Sequence, residues 1–305
     1  MAIITTGSVN RAIDLGPLGV RLFATLTEKN LAKSAVAPLF ETVKVKGKYH
    51  TTTNFEGDGY LSVRGEAEAF AAGDLHQRGE KTWQMENYGK LFVLSQEAIE
   101  DAVAMDILKA ASANLAASVA ATKDLVLSNV FNNAFTSTYA GFDGKELCAT
   151  DHPVDAGNFA NEEAAGSALS VTAIENMLTA VAKYSAANGL KVNVDPKALL
   201  VPADLWITAQ KVMKSIKIPG SMDNDANVAP LHFMQNEPIM NRYLSSTTAY
   251  FICNDVANGL LHLDRVAPEM SSDNRHENET LAMKVRMRMG TAWGDFRAVH
   301  GNVGA

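Results

Sequence analysis

The sequence predicts an α+β chain organised around one oversized helix. Three observations carry that expectation. Apolar residues recur every three to four positions through residues 95 to 133. Residues 44 to 93 hold 7 of the 21 glycines and alternate at both ends, which favours an extended ribbon over a helix. The stretch LAMKVRMRMG, residues 281 to 290, splits with period two into an apolar set and a cationic set.

The bulk composition sets the frame. A chain of 305 residues favours about two domains and buries enough surface to need no staples. Hydrophobic residues make up 47% and charged residues 20%, an ordinary globular balance. The formal net charge of -7 means that any nucleic-acid-attracting surface must be local. Two cysteines, Cys148 and Cys253, cannot build a disulfide framework and read as buried free thiols. The start, MAIITTGSVNRAIDLG, lacks a basic region followed by an apolar one, and no run of 18 apolar residues occurs. The expectation is a soluble, intracellular chain with no membrane span.

Residues 1 to 43 read as an arm with a helical middle that ends at Pro38. Residues 44 to 93 read as a long two-stranded excursion with a polar tip. A two-stranded ribbon is barely stable alone in water, so it needs a surface to lie on, its own chain's or a neighbour's. From 95 to 133 the sequence predicts one helix. Ser95 is its cap, and Glu97, Glu100 and Asp101 sit where the helix dipole favours anions. Ile99, Val103, Ile107, Ala111, Leu115, Val119, Thr122, Val126 and Val130 form its stripe. At 1.5 Å per residue the rod is about 55 to 60 Å long, a structural spine more than an enzyme core.

Residues 134 to 169 read as loops. A helix follows, about 171 to 188, stopped by Asn188-Gly189. KALLVP reads as a short buried strand and ADLWITAQKVMKS as a helix. TAYFICN and GLLHLDR read as strands around an Asn258-Gly259 turn, and 281 to 290 as the final strand.

Motifs of known chemistry are sparse. There is no phosphate-cradling loop and no nucleophile elbow. HENET, 276 to 280, starts like a zinc-protease motif, but Thr280 stands where the second histidine belongs. DNDANV, 223 to 228, places Asp223, Asp225 and Asn227 as in a calcium loop, but Val228 replaces the required glycine and Met234 the glutamate. Cys148, Asp151 and His152 could form a zinc site or a nucleophile pair, although Asp151-His152-Pro153 is also ordinary turn chemistry. His50, His76, His232, His262 and His300 lack partners at ligand spacing.

The order of parts is the informative feature: arm, β-excursion, very long helix, compact α/β region, returning basic-and-apolar strand. It resembles the Hong Kong 97-type major capsid fold (Johnson fold) of tailed bacteriophages, and more narrowly the Mu-like major head subunit family. The narrower resemblance is carried by LCATDHP (147 to 153), PKALLVPADLWITAQKVMKS (196 to 215) and LAMKVRMRMGTAWGDFRAVHGNVGA (281 to 305).

The resemblance implies an N-terminal arm over 1–43 and an extended β-hairpin E-loop over 44–93, laid across an adjacent subunit. It implies a peripheral domain with the spine helix over 94–164 and 263–292, and an axial domain over 165–262 and 293–305. The implied function is a non-enzymatic major capsid protein that self-assembles as pentamers and hexamers into an icosahedral shell around double-stranded DNA. It needs no cofactor and no metal. Its place is the virion, and the host cytoplasm during assembly. Because the spine helix is expected near residue 95, little room precedes it for a cleaved scaffolding segment. That suggests a separate scaffolding protein. The resemblance further implies as partners other copies of the subunit, a portal, nonspecifically packaged double-stranded DNA and room for a decoration protein, with no membrane. The alternative is an encapsulin-like compartment holding an enzyme cargo. A third class is a soluble enzyme using Cys148, Asp151 and His152.

The basic strand fits this picture in more than one way. Residues 281 to 305 hold four Lys/Arg against one Asp. Lys284, Arg286 and Arg288 can meet acidic residues of a neighbour's loop, such as Glu66, Glu68 or Asp74. They can face the packaged genome in a nonspecific, salt-sensitive contact. They can also be a solvated strand face.

Overall fold

The alternating strand lies inside a four-stranded sheet, one face of which is closed by two helices. The computed structural model describes residues 6–57, 59–70, 72–95, 104–154, 157–217, 226–235, 237–275 and 280–305. The helices are α1 (Thr6–Leu31) and α2 (Ala104–Asn132). The strands are β1 (Glu41–Lys44), β4 (Glu86–Ser95), β10 (Leu260–Arg275) and β11 (Thr280–Trp293), in the order β1-β10-β11-β4. Leu281, Met283, Val285, Met287 and Met289 of β11 are buried against Phe23 of α1 and Leu108, Leu115 and Val119 of α2. Fully burying a side chain of this size is worth about 1.5–3 kcal/mol, so this strand face contributes on the order of 10 kcal/mol before chain entropy is counted.

α2 is the expected spine, but its described length is 29 residues, about 43 Å. Ser95 is not its cap. It is the last residue of β4, opposite Thr280 in the ladder. Glu97, Ile99, Glu100, Asp101 and Val103 lie outside the described residues. The stripe holds as far as Val119. Beyond it the buried apolar positions are Leu127 and Phe131, while Val126 and Val130 are half-buried. The face changes because the helix passes from one core to a second, where Phe131 packs on Phe40 and Phe251.

α1 ends at Leu31, seven residues before Pro38. Ser34 replaces it as the organiser there: its Oγ meets Asp124 Oδ1 of α2 at 2.5 Å and accepts from Ala37 N–H at 3.1 Å. Pro38 sits in the short 3₁₀ turn Ala37–Leu39 that follows.

A second sheet has the order β12-β9-β7-β8. Its strands are β7 (Asp195–Pro202), β8 (Ile239–Asn241), β9 (Tyr250–Asp255) and β12 (Val299–Asn302). β7 contains the buried KALLVP strand. Leu199 and Val201 face α3 (Val171–Ala182) and α4 (Trp206–Lys214), while Ala198 and Leu200 face the core around Phe131 and Trp293. Burial on both sides explains why this strand reads as a continuous apolar run instead of alternating. α3 is capped by Ser170, whose Oγ accepts from Ala173 N–H, and it stops at Ala182, short of Asn188-Gly189. Gly189 instead supplies the φ of 83° for the turn beyond.

Two strand readings need correction. β9 and β10 flank Asn258-Gly259 but do not pair; they belong to different sheets. Asn258, at φ 55°, turns the chain from one sheet into the other, and its carbonyl accepts from Gly294 and Asp295 N–H at 3.1 Å. β11 is also not the last strand, because β12 returns to pair antiparallel with β9.

Residues 44 to 93 divide into two structures. β4 joins the first sheet, and only β2 (Tyr49–Gly57) and β3 (Leu75–Gln84) form the ribbon. The ribbon base sits on the body: Trp83 Nε1 donates to Thr52 Oγ1 at 2.9 Å, and Trp83 packs 5.8 Å from Trp293. Trp293 in turn covers Gly141, where a Cβ would stand 1.9 Å from the indole. β5 (His152–Val154) and β6 (Gly157–Phe159) form a small hairpin in the loop region.

Candidate assembly surfaces

Two surfaces and one largely buried cluster concentrate the residues singled out in the sequence. The first is the outer face of β11. Lys284, Arg286 and Arg288 stand there beside Leu91, Gly89 and Asn87 of β4 and Ser271, Glu269 and Val266 of β10. Lys284 is exposed. Arg286 is exposed and forms an ion pair with Glu269 of its own chain. Arg288 is half-buried, and its Nε has no hydrogen-bond partner among the described residues. Leu91 and Val93, both exposed, add an apolar strip along the β4 edge. The face is thus apolar at its edge strand, cationic along β11 and acidic at Glu269.

The second surface is the tip of the ribbon. Glu66, Glu68 and Asp74 all lie there and are exposed. Glu68 Oε2 accepts from Gly65 N–H at 2.8 Å, and Asp74 Oδ1 accepts from Leu75 N–H at 2.9 Å, so both help shape the local turns. Ala67 adopts φ 59°, and the Arg64 guanidinium lies 4.2 Å above the Phe70 ring. The tip is not simply polar. Leu61 and Val63 are fully exposed, and Tyr60, Phe70 and Leu75 are largely exposed. A patch of this kind on one chain marks a contact surface. Its residues were in view in YLSV and EAF, but a single sequence does not separate an apolar side chain left wet from one that is buried.

On the inner side of the sheet a cleft of about 410 Å³ runs between α2 and the β4 edge, lined by Tyr88, Lys90, Leu115, Val119, Thr122 and Met287. Tyr88 Oη donates to Glu86 Oε2 at 2.6 Å; burial, and then that carboxylate, push its pKa up.

The third is the cluster around Cys148, where the structure separates the three residues that suggested chemistry. Cys148 is buried against Gly301 of β12, and burial pushes its thiol well above the usual range. A thiol held neutral is a poor nucleophile. Asp151 is at the surface and pairs with Lys145 Nζ at 2.5 Å. His152 is buried, with Nδ1 2.5 Å from Asp143 Oδ2, Nε2 3.0 Å from Asn161 Oδ1, and its ring stacked on Phe296 at 4.1 Å. These side chains pin the loop region to the C-terminal segment. Among the described residues, no group of three or more His, Cys, Asp or Glu is arranged to hold a metal ion. Residues 276–279 of HENET and residues 223–225 lie outside them. No helix among the described residues is long and apolar enough to cross a membrane.

Comparison with known proteins agrees with this architecture. The family model described as "Phage capsid protein" matches residues 79–302. No curated protein matches the sequence significantly. Among solved structures, the chain is similar to the capsid of cyanophage P-SCSP1u, with TM-score 0.55 and 9% identity over 88% of this chain and 86% of that one. It is similar to the virus-like particle from Pyrococcus furiosus, with TM-score 0.54 and 10% identity over 92% and 98%. It is also similar to an encapsulin complex from Synechococcus elongatus, with TM-score 0.52 and 9% identity over 88% and 86%. At such low identity these likenesses show the fold, which is the Hong Kong 97-type. The family match runs from the second ribbon strand to β12, well over half of the sequence, so the chain belongs to the phage capsid protein family and is a structural subunit of a phage capsid.

Proposed function

We propose that the subunit gathers as pentamers and hexamers into an icosahedral shell around double-stranded DNA, with the ribbon acting as the E-loop laid across an adjacent subunit. The observation that carries this reading is the tip: Leu61, Val63 and Phe70 stand in water in the single chain. Covering them on a neighbour gains about 25 cal/mol per Å² of apolar surface removed from water. The outer face of β4 and β11 is the surface that suits them. Leu91 and Val93 offer apolar contact, and Lys284 offers a cation to Glu66, Glu68 or Asp74. Arg286 is already engaged by Glu269, so Lys284 and Arg288 carry the inter-subunit role.

On this reading residues 94–164 and 263–292 form the peripheral domain, and 165–262 with 293–305 the axial domain; the two separate sheets support that division. A separate scaffolding protein, a portal and a decoration protein complete the assembly. No step calls for catalysis or a cofactor. The narrower likeness to Mu-like head subunits rests on residues 147–153, 196–215 and 281–305. Deleting residues 60–74 tests the reading. The subunit is expected to fold but to give no closed shells by electron microscopy. Normal shells from that deletion overturn the role of the tip.

An encapsulin-like compartment is the second reading, favoured by the fold shared with the Synechococcus elongatus complex. What co-purifies with the shell decides between them: double-stranded DNA supports the first, a stoichiometric enzyme without nucleic acid the second.

A further inference from the structure

The distal ribbon does not hang free. β2 and β3 run in regular register from Tyr49↔Gln84 to Asn54↔Gly79, and then the pairing shifts, with Phe55 opposite Gln77. Arg78 is the extra residue, a β-bulge. Bulges bend a strand and re-aim a side chain. Here the bend falls where the ribbon crosses the body. A Cβ on Gly79 would stand 2.9 Å from the Phe142 carbonyl oxygen, so only glycine allows the ribbon to lie this close.

Immediately beyond the bend, Glu56 reaches into the body. Its Oε1 is 3.3 Å from Arg297 Nη2 and its Oε2 is 2.9 Å from Nε of the bulged Arg78. The Arg297 side chain is 7% exposed and that of Glu56 12%, so the pair is shielded from water. Arg297 is itself fixed by Asp295 Oδ2 at 3.1 Å and by the Phe296 ring, 5.2 Å from its guanidinium. One residue further along the ribbon, the Gly57 carbonyl accepts from Asn188 Nδ2 at 2.7 Å. Gly59 still lies close to the body, where a Cβ would stand 3.3 Å from the Asn188 carbonyl oxygen, and from Tyr60 to Phe70 the described residues are exposed.

We infer that Glu56, Arg78 and Arg297 form an ionic latch beside a glycine hinge at Asn54/Gly79, holding the ribbon against its own subunit and aiming the tip. The Arg297–Glu56 contact is a shielded, charge-assisted hydrogen bond, stronger than a surface pair, and Arg78 adds an ion pair without a hydrogen bond. Breaking one partner leaves the other buried and uncompensated. A ribbon whose distal half is pinned also loses less freedom when its tip docks, which favours association. The aiming role rests on the shell-forming reading of the tip; the latch itself does not.

Hydrogen exchange on the full chain, with wild type and variants prepared in the same assembly state, tests both parts. Glu56→Gln keeps the shape and removes the charge. Gly79→Ala keeps the charges and pushes the ribbon off Phe142. Each is expected to speed exchange of the distal ribbon amides, 55–57 and 75–79, at least tenfold. The base, 49–53 and 81–84, and α2 are expected to stay at wild-type rates. Wild-type exchange of the distal amides in either variant overturns the latch and hinge. So does general loosening of the body, which would make Glu56 a stability residue. The aiming role is read separately. A several-fold rise in the concentration at which Glu56→Gln assembles supports it, and an unchanged threshold with a freed ribbon overturns it. If the chain forms no shells at all, the shell reading fails while the exchange result still stands.

Discussion

His152 and Asn161 are joined by a 3.0 Å hydrogen bond in which the imidazole is the donor. The direction follows from Asn161. Its Nδ2 faces the carbonyls of Leu147, Phe296 and Val299 at 2.7, 2.8 and 3.0 Å, so that end is the amide nitrogen. Its Oδ1 accepts from Ala149 N–H at 2.9 Å, which leaves His152 Nε2 as a second donor. With Nδ1 against Asp143 Oδ2, both ring nitrogens face acceptors. Asn161→Ala therefore strands several buried groups at once. The expected loss is about 3 to 5 kcal/mol in chemical denaturation of the unassembled subunit. Asn161→Asp is expected to be at least as costly, because a carboxylate cannot donate to three carbonyls. A loss under about 1 kcal/mol for the alanine variant would show that this side chain is not the clasp between 147 and 299.

This clasp was not legible in the sequence, whereas much of the fold was. The alternation at 281 to 289 was readable because one side of β11 meets α2 and the other meets water. The residues around His152 suggested catalysis because Cys148, Asp151 and His152 are close along the chain. Their partners, Gly301, Lys145 and Asn161, are set by tertiary packing that spacing does not record. Asn258-Gly259 suggested a hairpin because a hairpin turn and a crossing between two sheets both need a residue at positive φ. Ser95 suggested a cap because serine before an apolar period suits a helix start, but the β4 ladder continues through it. Glu56 and Arg297 are far apart in sequence, and nothing local in either points to the other.

Adjacent residues of β11 should separate folding from assembly. Met283 is fully buried and Lys284 exposed. Met283→Ala is expected to cost about 2 to 5 kcal/mol of subunit stability, the transfer term plus a cavity between β11 and α2. Lys284→Glu is expected to change subunit stability by no more than about 0.5 kcal/mol, and to weaken or abolish shell formation by setting like charge against Glu66, Glu68 or Asp74. Denaturation curves read the first and sedimentation the second. Normal shells from Lys284→Glu would remove the inter-subunit role of that strand face.

Arg286 gives a contrasting expectation. Its pair with Glu269 is more than half exposed on both sides, a setting in which ion pairs contribute about 0 to 1 kcal/mol. Arg286→Ala should leave subunit stability almost unchanged. If Lys284 and Arg288 carry the contact, it should also disturb assembly less than Lys284→Glu. A larger assembly defect for Arg286→Ala would mean that its pair with Glu269 opens in the shell.

The two thiols should be inert in the folded chain. Cys148 and Cys253 are both buried, and burial raises both pKa values, that of Cys253 to about 12. At pH 8 neither is expected to react with a thiol-specific disulfide reagent until denaturant is added, when both react. Rapid reaction of Cys148 in the native protein would reopen a chemical role for the 148–152 cluster.

His262 is expected to make the subunit acid-sensitive. It is buried in β10, with Thr42 of β1 and Thr291 of β11 as its register neighbours and Lys123 of α2 nearby. Its Nε2 has no hydrogen-bond partner among the described residues. Burial first, and then the Lys123 charge, lower its pKa from 6.5 to about 4. As pH falls below about 6.5, the unfolded chain binds a proton that the folded chain refuses, so stability declines. The decline from this group ends near pH 4, after about 3 kcal/mol. His262→Gln removes the titrating group while keeping a polar side chain. Whatever its stability at pH 8, its stability should fall less steeply than that of wild type between pH 6.5 and 4, by up to one proton's worth of slope. Parallel profiles for the two proteins would mean that water or a counter-charge reaches His262 and that β10 holds no acid-sensitive point.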